Sequence, residues 1–104
     1  MEKRLVTQYA TKSSADADEN QRRIEGVFAE LSASQPQNVS YLVLRLADDS
    51  FLHVSFHDHG DEEVNPISST AAFARFQDDH GARRAGEVKQ QTATLVGAYV
   101  TTIA

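Results

Sequence analysis

The chain has 104 residues with no cysteine and no tryptophan, and its ten Lys and Arg against fifteen Asp and Glu leave a formal net charge of -5. Such a length fits one domain that buries about 65% of its unfolded surface without a metal or disulfide staple. The composition excludes thiolate chemistry, disulfides and cysteine-ligated metal, and its acidic balance argues against nucleic acid and anionic membranes, both of which attract Lys/Arg stripes.

Arg4 to Thr11 is the first strand, with Leu5, Thr7 and Tyr9 on one side and Val6, Gln8 and Ala10 on the other. Neither side is cleanly polar, as expected of a central strand. Ser13 to Asp18 supplies helix-start chemistry, with Asp16 and Glu19 in capping-box spacing. The helix behind it carries Ile24, Val27, Phe28 and Leu31 on one stripe. Burying those four side chains is worth roughly 6–12 kcal/mol before chain entropy is charged. Asn20 extends that stripe by a turn and puts an amide on a core-facing line. Gly26 suggests close approach to another backbone, and Pro36 predicts a helix end near Ser34.

Tyr41 to His59 reads as two strands joined by a polar turn at Ala47-Asp48-Asp49-Ser50. Leu42, Leu44 and Leu46 alternate with Tyr41, Val43 and Arg45, and Leu52, Val54 and Phe56 alternate with His53, Ser55 and His57. Burial of the more apolar sets against helices places Arg45 near His53 and Tyr41 near His57, on the sheet face away from the helices. After an acidic loop from Gly60 to Pro66, a second helix is expected over about Ser68 to Arg84, with Ala72, Phe73, Phe76 and His80 along a face. His80 is read as a helix-end histidine, and the Arg22-Arg23 and Arg83-Arg84 pairs as solvated faces. Gln90 to Ile103 closes the chain as a strand interrupted at Gly97, where glycine suggests a bulge or a close crossing.

The order strand, helix, strand, strand, helix, strand is the ferredoxin-like βαββαβ plan of an α+β domain. It is a four-stranded antiparallel sheet with two helices on one face and spans the whole chain, residues 1–104. The uncovered face then calls for a second copy packed sheet to sheet, so a homodimer enclosing a cavity is expected. No stretch has the length of a membrane span or a secretory h-region, which makes a cytoplasmic protein the expectation.

The first strand ending in Tyr-Ala-Thr-Lys, Ala-Asp-Glu-Asn at 17 to 20, Val-Phe-Ala-Glu-Leu at 27 to 31, the Tyr-Leu-Val-Leu-Arg-Leu strand and Ala-Phe-Ala-Arg-Phe-Gln in the second helix resemble the antibiotic biosynthesis monooxygenase-like members of the dimeric α/β-barrel group. The resemblance implies a homodimer whose barrel holds a small, often aromatic ligand, and, in some members, oxidation of polyketide-like or quinol substrates without metal or flavin. Haem degradation, found in another branch, is not expected, because the chain has no tryptophan and no asparagine in its first strand.

The residues available for such chemistry are His53 or His57 as general base, with Tyr41, Arg45, Ser55, Tyr9 and Asn20 as substrate contacts. No cofactor is called for. His57-Asp58-His59 with Glu63 matches the core spacing of a cupin metal site, yet two helices contradict a jelly roll and no metal is assigned. Two functions fit: a small-ligand dimeric barrel acting as a cofactor-independent monooxygenase, or a non-catalytic sensor or interaction module of the same fold. An enzyme should show a cavity of a few hundred Å³ reached by His53 or His57, whereas a module should show that space filled.

Overall fold

The computed structural model describes residues 2–60 and 62–101. Strand β1 (Glu2–Thr11) leads into helix α1 (Ser14–Ser34) through Ser13, whose side chain accepts the Asp16 backbone N–H. Ser13 Oγ in turn donates to the Asp16 carboxylate at 2.9 Å, so the cap lies one turn before the predicted Asp16/Glu19 pair. Glu19 is engaged by Arg22 and Arg23 on the helix surface instead. Gln35, at φ 49, ends the helix in left-handed geometry just before Pro36. Gly26 has nothing within 4 Å of where a Cβ would stand, so no close backbone crossing explains it.

Strands β2 (Val39–Arg45) and β3 (Phe51–Asp58) form the predicted hairpin, closed by Leu46 N–H to Ser50 C=O at 2.8 Å with Asp49 at φ 65. Pairing of β1 with both β3 and β4 (Arg84–Thr92) completes an antiparallel sheet of order β2-β3-β1-β4, the ferredoxin-like arrangement. Helix α1 and the short α2 (Ala71–Gln77) cover one face, where Ile24, Val27, Ala72 and Phe76 meet Tyr9 and Phe51.

The sheet is turned over relative to the sequence expectation. Phe51, His53 and His57 are buried beneath the helices, whereas Leu44 is 50% exposed on the opposite face. Leu42, Leu52, Val54 and Phe56 share that outer face with Val6, as the ladder Leu42–Val54–Val6 requires. Leu46 lies in the turn, outside the strand. Alternation alone favours the set of Leu42, Leu44, Leu52, Val54 and Phe56, but the other set carries Tyr41, Phe51 and the two histidines. Phe51 and Tyr9 lie in the core with Tyr41 and Val43 packed against it, and the phenol oxygens find partners inside, which removes the penalty for burying them. Register differs too: Val43 faces His53, Tyr41 faces Ser55 and Arg45 faces Phe51.

The second helix breaks in two. Thr70 caps α2, and the Glu30 carboxylate of α1 also accepts from the backbone N–H groups of Ala71 and Ala72. Asp79 then adopts φ 55, a conformation that short polar side chains tolerate, and a single turn, α3 (His80–Arg83), follows. The kink rotates His80 and Arg83 into the interior, so neither is the helix-end or solvated residue expected. β4 therefore begins at Arg84, earlier than the predicted Gln90. Its irregularity falls between the partners of Gln8 and Ala10, where Gly86 takes φ 79, instead of at Gly97. Residues 93–101 form no strand, and Val96 and Tyr99 are 99% and 92% exposed. The predicted end of that strand, Thr102 and Ile103, and Asp61 of the acidic loop lie outside the described residues.

Candidate functional site

A cavity of about 330 Å³ lies between the sheet and the α2–α3 segment within a single protomer. Its sheet wall is built by alternate residues of β1 and β3, Thr7 and Tyr9 beside His53, Ser55 and His57. Phe73, Phe76 and His80 supply the helical wall. Period-2 alternation puts the three β3 side chains on one face, and roughly 13 Å of strand separates His53 from His57. The sequence expectation had put this space between two sheets, but the structure puts it under the helices.

Within the wall runs a continuous set of hydrogen bonds. Tyr41 Oη is 2.6 Å from His53 Nδ1, and Tyr9 Oη is 2.8 Å from His53 Nε2. Asn20, 0% exposed on α1, donates from Nδ2 to Tyr9 Oη at 2.9 Å, and Arg83 Nε donates to Asn20 Oδ1 at 3.2 Å. The other guanidinium nitrogens of Arg83 are held by the backbone carbonyls of Phe76 and Asp78. Every hydrogen-bonding atom of this row is thus occupied by a neighbour, which is what lets a histidine, an asparagine and an arginine lie inside a core.

Burial governs the titration of the row. It pushes His53 down from 6.5 to about 4, with the nearby His80 ring adding to the effect. It likewise raises Tyr9 to about 12 and raises Tyr41. His53 is therefore a neutral imidazole flanked by two neutral phenols at neutral pH. Burial also lowers His80 to about 4, with Arg83 and Arg84 contributing. Arg84 donates to His80 Nδ1 at 3.1 Å, and His80 Nε2 is buried without a hydrogen-bond partner. At the other end of β3, His57 Nε2 lies 2.8 Å from Ser55 Oγ and Nδ1 lies 3.0 Å from His59 Nε2. Its pKa is lowered by burial, then by His59 and Lys3.

Of the sequence-derived site residues, the fold brings Tyr9, Tyr41, His53, Ser55 and His57 to the cavity wall, with Asn20 directly behind Tyr9. Arg45 is not among them. Its guanidinium is taken up at the turn end of the hairpin by Asp49, Asp18 and Gln21, a consequence of the shifted register. His59 and Glu63 flank a small recess that adjoins the cavity at His57, and Glu63 accepts the Gly60 N–H there. No group of three or more metal-ligating side chains occurs among the described residues. Tyr99 stands in the exposed C-terminal segment, away from the wall. Sequence reasoning gave His80 to a helix end and Arg83 to a solvated face, and so did not bring either to the site. The signal was the Asp78-Asp79 doublet, which ends a helix more readily than it continues one.

No protein-family model matches the chain, and no curated protein matches it in sequence. Solved structures match it in shape over nearly its whole length. A Nitrosomonas europaea protein, provisionally named an antibiotic biosynthesis monooxygenase, is similar at a TM-score of 0.70 and 13% identity, over 91% of this chain and 90% of that one. A Caulobacter crescentus protein of the same provisional name has a TM-score of 0.70 at 16% identity, over 92% and 91%. A Pseudomonas aeruginosa protein follows at 0.69 and 15% identity, over 92% and 95%. What they share with this chain is the ferredoxin-like fold. Two of the three bear the name of the family that the sequence resembles. Among the described residues, no helix is long and apolar enough to cross a membrane.

Proposed function

We propose that the chain binds a small aromatic, phenol- or quinol-type molecule in the cavity beneath its helices and oxidises it as a cofactor-independent monooxygenase. The observation that carries this reading is the 330 Å³ space, at the small end of ligand pockets and suited to a molecule of one or two rings, with His53, His57 and the Tyr41 hydroxyl on its wall. Phe73 and Phe76 offer ring faces for stacking. His53, with both nitrogens already hydrogen-bonded and its pKa held near 4, is a poor proton acceptor at neutral pH and acts with Tyr41 at the ligand's oxygen. His57 also has both ring nitrogens engaged, and it takes the proton at Nε2 once the Ser55 hydroxyl on the same wall swings off that atom.

Loss of a proton from a methylene activated by an adjacent phenol or carbonyl gives a carbanion that passes one electron to dioxygen. The radical pair joins at carbon as a hydroperoxide, which loses water to leave a ketone. The balance is CH₂ plus O₂ to C=O plus H₂O. All four electrons come from the substrate, so no external reductant enters. Neighbours named for monooxygenation on the same fold agree with this reading.

The same reading makes the protein a homodimer, joined through the outer sheet face that carries Leu42, Leu44, Leu52 and Val54. Oxygen uptake with a panel of one- and two-ring phenols and hydroquinones that carry an activated methylene tests the activity. His57→Ala is expected to abolish uptake that the wild type shows, and His53→Ala to raise the substrate concentration needed. Uptake equal in all three proteins would remove both histidines from the chemistry.

A further inference from the structure

The row of hydrogen bonds behind the cavity has a direction, and one end of it cannot be reversed. A guanidinium only donates, and Arg83 is fixed in place by the carbonyls of Phe76 and Asp78 at 2.6 and 2.8 Å. Its Nε–H therefore requires the oxygen, not the nitrogen, of the Asn20 amide at 3.2 Å. That choice turns Asn20 Nδ2 toward Tyr9, so the Tyr9 oxygen accepts at 2.9 Å.

Tyr9, 4% exposed, has one proton left to place, and the acceptor within reach among the described residues is His53 Nε2 at 2.8 Å. An Nε2–H imidazole would bury that phenol proton unpaired. His53 must then carry its proton on Nδ1 and donate it to Tyr41 Oη at 2.6 Å. Tyr41's own proton meets no acceptor among the described residues, and Tyr41 lines the cavity.

We propose that Arg83 and Asn20 are positioning residues that impose this single direction, hold His53 as the Nδ1–H tautomer, and leave the Tyr41 hydroxyl as a donor to an acceptor oxygen, a phenolate or carbonyl, on the ligand. The ligand half of the inference rests on the function proposed above; the tautomer half does not. An imidazole in water prefers the opposite tautomer, so the assignment is sharp. The order is guanidinium, amide, phenol, imidazole, phenol, ligand, with each group donating to the next. Arg83 and Asn20 never touch the ligand and act entirely through Tyr9 and His53.

Long-range proton–nitrogen correlation spectra of the unliganded, nitrogen-labelled protein at neutral pH read the tautomer directly. The wild type is expected to show His53 Nδ1 in the protonated range and Nε2 in the unprotonated range. Asn20→Asp keeps the shape but has only acceptor oxygens, so it takes a proton from Tyr9 as well as from Arg83. His53 must then donate from Nε2, and the two resonances should exchange. Arg83→Met removes the guanidinium that fixes the Asn20 amide, so the amide is free to turn its oxygen to the Tyr9 hydroxyl and Nε2 should gain the proton, which covers the case in which Asn20→Asp does not fold.

Protonated Nε2 in the wild type, or an unchanged tautomer in a folded variant, would overturn the proposal. Binding of 4-nitrophenolate is then followed by absorbance, and both Tyr41→Phe and Asn20→Asp should weaken it about ten-fold. Equal affinity in wild type and Tyr41→Phe would overturn the donor role of Tyr41. Absence of binding to the wild type, with the tautomer as stated, would instead overturn the cavity's proposed ligand class and leave the direction of the row standing.

Discussion

His53 ties the site to the stability of the molecule. Its folded pKa of about 4 lies below the 6.5 of an unfolded histidine, so between those values the unfolded chain binds a proton that the folded chain refuses. Stability from this group is complete above about pH 6.5 and is lost as pH falls through about 4, a change of about 3 kcal/mol. His80 acts in the same direction. Urea midpoints should therefore fall between about pH 7 and pH 4.5, and His53→Asn should flatten that fall. Tyr9→Phe leaves Asn20 Nδ2 and His53 Nε2 without their shared partner and should cost about 1–3 kcal/mol, read from the same midpoints. Tyr41, His53, Ser55 and His57 could be picked out of the sequence because a phenol, a hydroxyl and imidazoles at period 2 mark one face of a hairpin, whereas Tyr9 sits in a first strand whose two sides alternation left undecided. Which face is buried could not be picked out, because the pairing that makes His53 cheap to bury joins residues 44 and 12 positions apart. Asn20 was legible as a polar break in an apolar stripe. Arg83 was not, since its burial depends on the conformation of one residue, Asp79.

At the scale of the elements, α1 and the β2–β3 hairpin were readable because their signals are local: a 3.6-residue stripe, a proline after Ser34, a four-residue polar turn. The cap at Ser13 should be worth about 1 kcal/mol. Ser13→Ala is thus expected to lower the melting temperature by about 4–8 °C in a calorimetric scan, with the cavity unaltered. The segment from 68 to 92 was read less well. Its apolar residues fit a continuous helix, but tertiary contacts to Asn20 and to two backbone carbonyls select a break before His80 and start the last strand six residues early. Local propensity did not decide between those outcomes; the hydrogen bonds of Arg83 did.

For the molecule as a whole, the order of elements was sufficient to give the topology, since a split βαβ repeat in a chain of this length has few alternatives. The expected dimer survives as a proposal with its surfaces exchanged, now resting on the aliphatic side of the sheet. Leu44→Asp, at a half-exposed position, should leave the fold intact and convert a species of twice the chain mass into one of 11.5 kDa by sedimentation equilibrium. A wild type that sediments at the single-chain mass would remove that interface. β3 itself carries a consequence for how such a protein can change over generations. Its odd-numbered residues, His53, Ser55 and His57, wall the cavity, while its even-numbered ones, Leu52, Val54 and Phe56, lie on the other side. Mutation and selection can therefore revise chemical preference along one register of the strand while the neighbouring register, and whatever it adheres to, is inherited unchanged.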